Sequence, residues 1–520
     1  MELLQITLFL LLCAVALGWI ARHFSFPYPI ALVIGGGALG LLPRLPEVPF
    51  DPQLILVLVL PPILYQAALL TSWRDFKANI RPIGLLAVGL VIVTTLAVGV
   101  TFNLLVPACP WSAAFVLGAI VSPPDAVAAT AILSRLRIPR RVVTVLEGES
   151  LVNDASGLVL YKFAVTAVLT GTFSVVDASV EFVGVVAGGV AIGCLLAWLF
   201  VAIHRRLGDT FIEVLTTLAV PYVVYILAES IHVSGVLGVV AAGLVRGRYS
   251  PEVVSAEMRI IARSVWMLLV FLLNSLVFML IGIQLSNIVE RLSGSASAVE
   301  LFGYAALISA VAIAIRFAWV YPATYLPYRM SPALRAREPA PSGQEVFIMS
   351  WCGMRGIVSL AAALALPVVL PDGTLFPQRD LIIFLTFSVI AVTLVAQGLT
   401  LPVLIRRLKL GADWSLHEEH KHARMALGAA ARTAIDELAR SEQIAPELAK
   451  RVSDEFAEKI ERTFADDPDM QGSGDPTRRL RQAAIRAERQ ELIRIWRENQ
   501  ISDDILHHIE EDLDYQESHI

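Results

Sequence analysis

Thirteen apolar runs, most of them long enough to cross a bilayer as helices, fill most of the first 405 residues of this 520-residue chain. They lie at residues 3–22, 28–43, 52–71, 82–106, 111–134, 142–170, 178–203, 210–229, 233–246, 264–289, 299–326, 344–370 and 380–405. The expected fold class is an all-α polytopic membrane protein. A composition of 56% hydrophobic and 17% charged residues, with mean hydropathy +0.68, agrees. The net charge of -5 is too small to imply nucleic acid, and the chain has no basic stripe interleaved with aromatic residues. The four cysteines lack CxxC spacing, so neither a disulfide framework nor a zinc site is indicated. Met1-Glu2 is not the basic start of a signal peptide, and the first run is read as a permanent span.

Loop charges orient the spans. With the N-terminus outside, the arginines and lysines near residues 74–81, 135–141, 205–206, 246–263, 329–337 and 406–409 all fall in the cytoplasm. Only Arg44, Arg291 and Arg379 fall outside, which matches the positive-inside rule with the C-terminus inside. An odd count also permits an inverted repeat, spans 1–6 against spans 8–13, with span 7 as connector. In that register the fifth span of each half carries helix breakers: Pro123-Pro124 in span 5, and Cys352-Gly353-Met354-Arg355-Gly356 in span 12. Matched breakers point to a midplane binding site, although prolines and glycines are also common in membrane helices generally.

Residues 1–410 therefore read as a transmembrane domain and residues 411–520 as a polar cytoplasmic tail. Helical patterning in the tail is expected at 417–440, 444–466 and 478–514, with a linker near 466–476. The tail reads as regulatory or dimer-forming and carries no catalytic signature.

Three carboxylates sit where a charge is costly. Asp125 follows the two prolines, and Glu149 and Asp154 share span 6. An acid at the bilayer centre costs roughly 2.5–3.5 kcal/mol on insertion scales, so it is rarely present for packing alone. Burial disfavours the charged form of a carboxylate, so such a group can hold either a proton or a cation. Asp125 and Asp154 can offer oxygens to a hard monovalent cation, helped by carbonyls freed where helix 5 unwinds. The alternative is a structural carboxylate capped by serines or amides. Glu149, five residues before Asp154, points about 140° away on a helix. Its natural partner is Arg316, the one basic residue deep in span 11. Arg355 is positioned to satisfy carbonyls at the second break, and Lys162 to reach the outer surface. Gly35-Gly36-Gly37 suggests close helix packing.

Two motifs carry a family resemblance: Glu147-Gly148-Glu149-Ser150-Leu151-Val152-Asn153-Asp154, and Gly353-Met354-Arg355-Gly356 followed by Ile357-Val358-Ser359-Leu360. With the broken helices, they make residues 1–410 resemble the monovalent cation:proton antiporters of the NhaP and sodium/proton exchanger type. The resemblance implies that Asp154 carries cation or proton, with Asn153 its neutral neighbour. It also implies that Asp125 belongs to the crossing of broken helices 5 and 12, that Ser150 is a candidate ligand, and that Glu149 pairs with Arg316. Members are homodimers whose core bundle slides against a dimer domain, and members with Asn-Asp are generally electroneutral.

The resemblance thus implies electroneutral Na+/H+ antiport across the plasma membrane, serving pH homeostasis, with Li+ or K+ as alternative cations. No enzymatic activity and no cofactor or resident metal is expected. Two positions depart from the family pattern: Pro124 stands where many relatives have Thr, and Gln66 where some have Glu. A K+/H+ antiporter is the close alternative, and a membrane cation or pH sensor signalling through the tail is the alternative of a different class.

Overall fold

The computed structural model describes residues 2–24, 27–41, 57–125, 129–130, 133, 138–171, 174–253, 256–292, 297–337, 340–408, 414–441 and 445–454, and the single positions 488 and 494. The helices are α1 (Glu2–His23), α2 (Tyr28–Gly40), α3 (Leu60–Leu70), α4 (Trp73–Ala78), α5 (Ile80–Leu105), α6 (Trp111–Val121), α7 (Arg140–Thr170), α8 (Val175–His204) and α9 (Thr210–Ser230). They continue with α10 (Gly235–Val253), α11 (Ala256–Leu292), α12 (Ala298–Met330), α13 (Pro332–Arg337), α14 (Gly343–Trp351), α15 (Ile357–Leu364), α16 (Arg379–Leu408) and α17 (Trp414–Ser441). No strand longer than an isolated bridge occurs among the described residues.

Local chemistry sets many of the boundaries. Ser297 and Ser342 each accept from an amide three residues on, while Glu300 and Glu345 reach back to the cap amides. These Ser-x-x-Glu capping boxes start α12 and α14 by satisfying amides that lack an intrahelical acceptor. Asp209 opens α9 in a related way, accepting from Ile212 N at 2.9 Å. Gly171, at φ +70°, closes α7 in the left-handed conformation that glycine adopts without strain. At the first predicted break, α6 stops at Val121, two residues before Pro123-Pro124. A proline lacks the amide a helix needs and disfavours helical backbone in the residue before it. At the second, α14 stops at Trp351 and α15 restarts at Ile357.

Seven helices among the described residues are long and apolar enough to cross a membrane, and shorter apolar helices stand at Leu8–Ala21, Tyr28–Gly40, Leu60–Leu70 and Trp111–Val121. Their outward faces carry side chains that water would not tolerate in such numbers: Leu12, Trp198, Leu215 and Phe302 are all exposed. A lipid surround removes that difficulty.

Inside, the buried residues form two large clusters. One includes Leu32, Val98, Leu117, Ile308, Ile348 and Phe387, from α2, α5, α6, α12, α14 and α16. The other draws chiefly on α3, α8, α9 and α10, with Leu64, Ala197, Val224 and Val240. The glycine run in α2 packs as its spacing suggested: a side-chain carbon at Gly36 would strike the backbone of α11 at Met279, and one at Gly282 would strike α2 at Val33. Glycines here let two backbones touch.

The chain divides into two compact units, Met1–Ala412 and Asp413–Ile520. In the second, α17 covers the first helical segment expected in the tail, and residues 446–454 are helical within the second. The expected linker at 466–476 lies outside the described residues, as does nearly all of the expected helix at 478–514.

Candidate functional site

The site is organised by the uninterrupted helix α7, whose two faces carry different chemistry. Glu147, Ser150 and Asp154, spaced three and four apart, form one stripe. Glu149, Asn153 and Ser156, spaced four and three, form another. The first stripe lines a cavity of about 960 Å³ and the second is packed into protein.

On the packed face, Arg316 of α12 meets Glu149 through two parallel hydrogen bonds. Nη1 donates to Oε1 at 2.5 Å and Nη2 to Oε2 at 2.8 Å, with both side chains 1% exposed. The same guanidinium donates from Nε and Nη2 to the Met349 carbonyl at 3.1 and 3.0 Å. Met349 lies in the last turn of α14, where carbonyls lose their intrahelical partners. The ion pair therefore also caps the second helix break. A bidentate geometry with its remaining donors satisfied is what makes a buried pair tolerable.

Arg355, 1% exposed, treats the first break similarly. Its Nε donates to the Val121 carbonyl at the end of α6 at 3.0 Å, and its Nη1 donates to the Gly353 carbonyl. Its own amide donates to Thr393 Oγ1 at 3.1 Å, within a wide, π-type turn of α16 over Thr393–Gln397. Such turns recur at functional positions in helices.

The interrupted segments touch directly. The Asp125 amide donates to the Met354 carbonyl at 2.7 Å. Asn153 Nδ2 donates to the Pro124 carbonyl at 2.8 Å, tying α7 to the unwound segment of chain, while its Oδ1 has no partner among the described residues. Gly356 stands where any side chain would collide with the Asp125 carboxylate.

The cavity is lined by Asp125, Asp154, Glu147, Ser150, Gln66 and Asn274 among its polar residues. No lysine, arginine or histidine lines it among the described residues. Trp19, Leu70, Glu147 and Met267 on its wall lie toward the ends of their helices, the ends near Arg22, Arg74, Arg140, Arg141, Arg259 and Arg263.

Of the four residues grouped from sequence as cation- or proton-binding, the structure brings Asp125, Ser150 and Asp154 together around the cavity. It seats Asn153 on the packed face instead. Glu149 and Arg316 are in contact, and Arg355 holds carbonyls at both breaks. Lys162 is exposed and pairs with Glu229 at 3.1 Å. Sequence reasoning passed over Glu147 as a cavity residue, although its spacing of seven from Asp154 places both on one face. It also missed the Met349 and Val121 carbonyls, for which no side-chain signal exists.

Comparison with known proteins agrees with this architecture. The family model for the sodium/hydrogen exchanger transmembrane region matches residues 8–407. An uncharacterized Na(+)/H(+) exchanger of Mycobacterium tuberculosis is 36% identical over 444 residues, covering 85% of this chain and 81% of the relative. A sodium, potassium, lithium and rubidium/H(+) antiporter of Bacillus pumilus is 34% identical over 438 residues, covering 82% and 65%. The structure of the sodium proton antiporter MjNhaP1 from Methanocaldococcus jannaschii superimposes with a TM-score of 0.61 at 21% identity, covering 78% of this chain and 99% of that one. The chain therefore belongs to the sodium/hydrogen exchanger family, with the fold of an NhaP-type antiporter.

Proposed function

We propose that this protein is a secondary antiporter that exchanges Na+ for H+ across the plasma membrane, one for one, with Asp154 carrying either ion. The observation that carries the reading is the cavity where the two interrupted segments cross: Asp125 and Asp154 line it, and no basic side chain does among the described residues. A carboxylate there has two ways to become neutral, by binding a proton or by pairing with a cation. If the protein moves only when the proton or the cation is bound, and not when the carboxylate is empty, exchange follows. Because Asn153 does not titrate, the carrier has the same net charge in both states, and the cycle moves no net charge.

Membership of an antiporter family argues for a transporter rather than an enzyme. The cavity reaches toward the arginine-rich loops, so under the positive-inside orientation it opens to the cytoplasm, and alternating access would close it there and open it outside. Thirteen crossings, N-terminus outside and C-terminus in the cytoplasm, are accommodated by the seven long helices, the four shorter ones, α10 and the interrupted pair α14–α15. On this reading residues 1–410 transport as a homodimer in two inverted repeats, and residues 411–520 form a regulatory tail.

Exchange by purified protein in vesicles, with Na+, Li+ and K+ compared across pH, tests the proposal. Na+-driven proton movement lost in Asp154→Asn is the expected result, and a membrane potential generated by transport would overturn the one-for-one exchange. A broader cation range is the second reading. It is favoured by the neutral Gln66 on the cavity wall and by the relatives in Bacillus pumilus and Bacillus subtilis named for sodium, potassium, lithium and rubidium.

A further inference from the structure

We propose that Glu147 is a cation-capture residue, holding the incoming monovalent cation at the outer part of the cavity before it reaches Asp154. The inference rests on the antiport reading above.

Glu147 and Asp154 are seven residues apart, which on a helix is a rotation of only about 20° and a rise of about 10 Å. Both line the same cavity. Glu147 is only half-buried while Asp154 is 7% exposed, so Glu147 stands nearer the mouth. Unlike Glu149, it has no hydrogen bond or ion pair among the described residues. A carboxylate that no described residue holds as a structural partner is available to a passing cation.

A second observation points to the same ligand. Asn274 of α11 also lines the cavity, is 2% exposed, and has an Oδ1 with no partner among the described residues. An orphaned buried acceptor is costly unless something donates to it or coordinates it. A dehydrating cation needs such oxygens along its path. With no basic residue on the described wall, Glu147, Asp125 and Asp154 together give the cavity a field that concentrates cations.

The test measures Na+-dependent exchange in everted vesicles, so that the cytoplasmic face meets the medium, for wild type, Glu147→Gln, Glu147→Asp and Asp154→Asn. At low ionic strength, Glu147→Gln should raise the apparent KM for Na+ roughly three- to tenfold, with a smaller change in maximal rate, because the loss is one of local cation concentration. The same comparison in high choline chloride should narrow the gap, since attraction at this range is screened within a Debye length of about 10 Å or less. Glu147→Asp should keep most of the wild-type affinity. A merely structural role would not produce a salt-dependent KM gap. An unchanged KM at low ionic strength, or a gap that persists undiminished in salt, overturns the proposal. Absence of exchange by the wild type would instead overturn the antiport reading, and continued exchange by Asp154→Asn would overturn Asp154 as its carrier; both are scored independently of position 147.

Discussion

Glu149 and Asp154 stand on the same helix, a turn and a half apart, yet their surroundings are opposite. Glu149 faces protein: both of its oxygens are taken by Arg316, and that guanidinium also holds the Met349 carbonyl. Asp154 faces the cavity beside Asp125 and Ser150. One acid is fixed by a permanent counter-ion, and the other is left where its partner can be a mobile ion. On the proposed reading, the difference teaches that burial alone does not mark a transport residue. What marks it there is burial beside space, on a wall where no described residue carries a positive charge. The broken helices follow the same division. Their stray carbonyls on the packed side are capped by Arg316 and Arg355, while the Asp125 carboxylate remains on the cavity side.

The largest expected effect sharpens that contrast. Asp154→Asn should abolish Na+/H+ exchange in vesicles while leaving thermal stability in detergent close to wild type. A large drop in stability would place Asp154 among the structural acids. Next comes Arg316→Ala, which strands Glu149 without a partner. Breaking a buried pair by removing one member costs about 3–5 kcal/mol, so the melting temperature should fall steeply. Glu149→Gln combined with Arg316→Met should cost less than the two single changes added together. Additive losses in that cycle would show that the pair is not a unit.

Smaller is the effect of Asn153→Ala. It removes one buried hydrogen bond to the Pro124 carbonyl, worth about 1–3 kcal/mol when an acceptor is left unsatisfied. Measured as unfolding stability, no loss would detach Asn153 from the packed face. Asn153→Asp should add a titrating group and make transport electrogenic, read with a potential-sensitive dye. The smallest effect is expected from deleting residues 411–520, which should leave exchange largely intact. Exchange silenced by that deletion would make the tail an essential part of the transporter, whereas a chain that exchanges no ions and loses a signalling output on deletion would favour the sensor reading.

Much of this was legible in advance because the bilayer makes sequence speak plainly. Long apolar runs imply helices, since a backbone in lipid has to satisfy its own amides. The double proline and the Gly-x-x-Gly segment predicted interruptions where α6 and α14 end. The arginine deep in span 11 and Glu149 in span 6 predicted each other, and they are in contact. Other contacts left no trace. The Asp125 amide on the Met354 carbonyl, and Arg355 on the Val121 carbonyl, join backbone groups that every residue possesses. No residue type announces them.

By itself, then, the sequence determined the helices, their breaks, and the angle between Glu149 and Asp154, because helical spacing fixes the angular separation of side chains on one element. It did not determine which of the two directions meets space and which meets protein. Only the tertiary structure decided that, by bringing residues from positions 66, 125 and 274 to one face of α7 and residues 316 and 349 to the other. Contacts between segments so far apart in the chain depend on how whole helices pack, which no local pattern records.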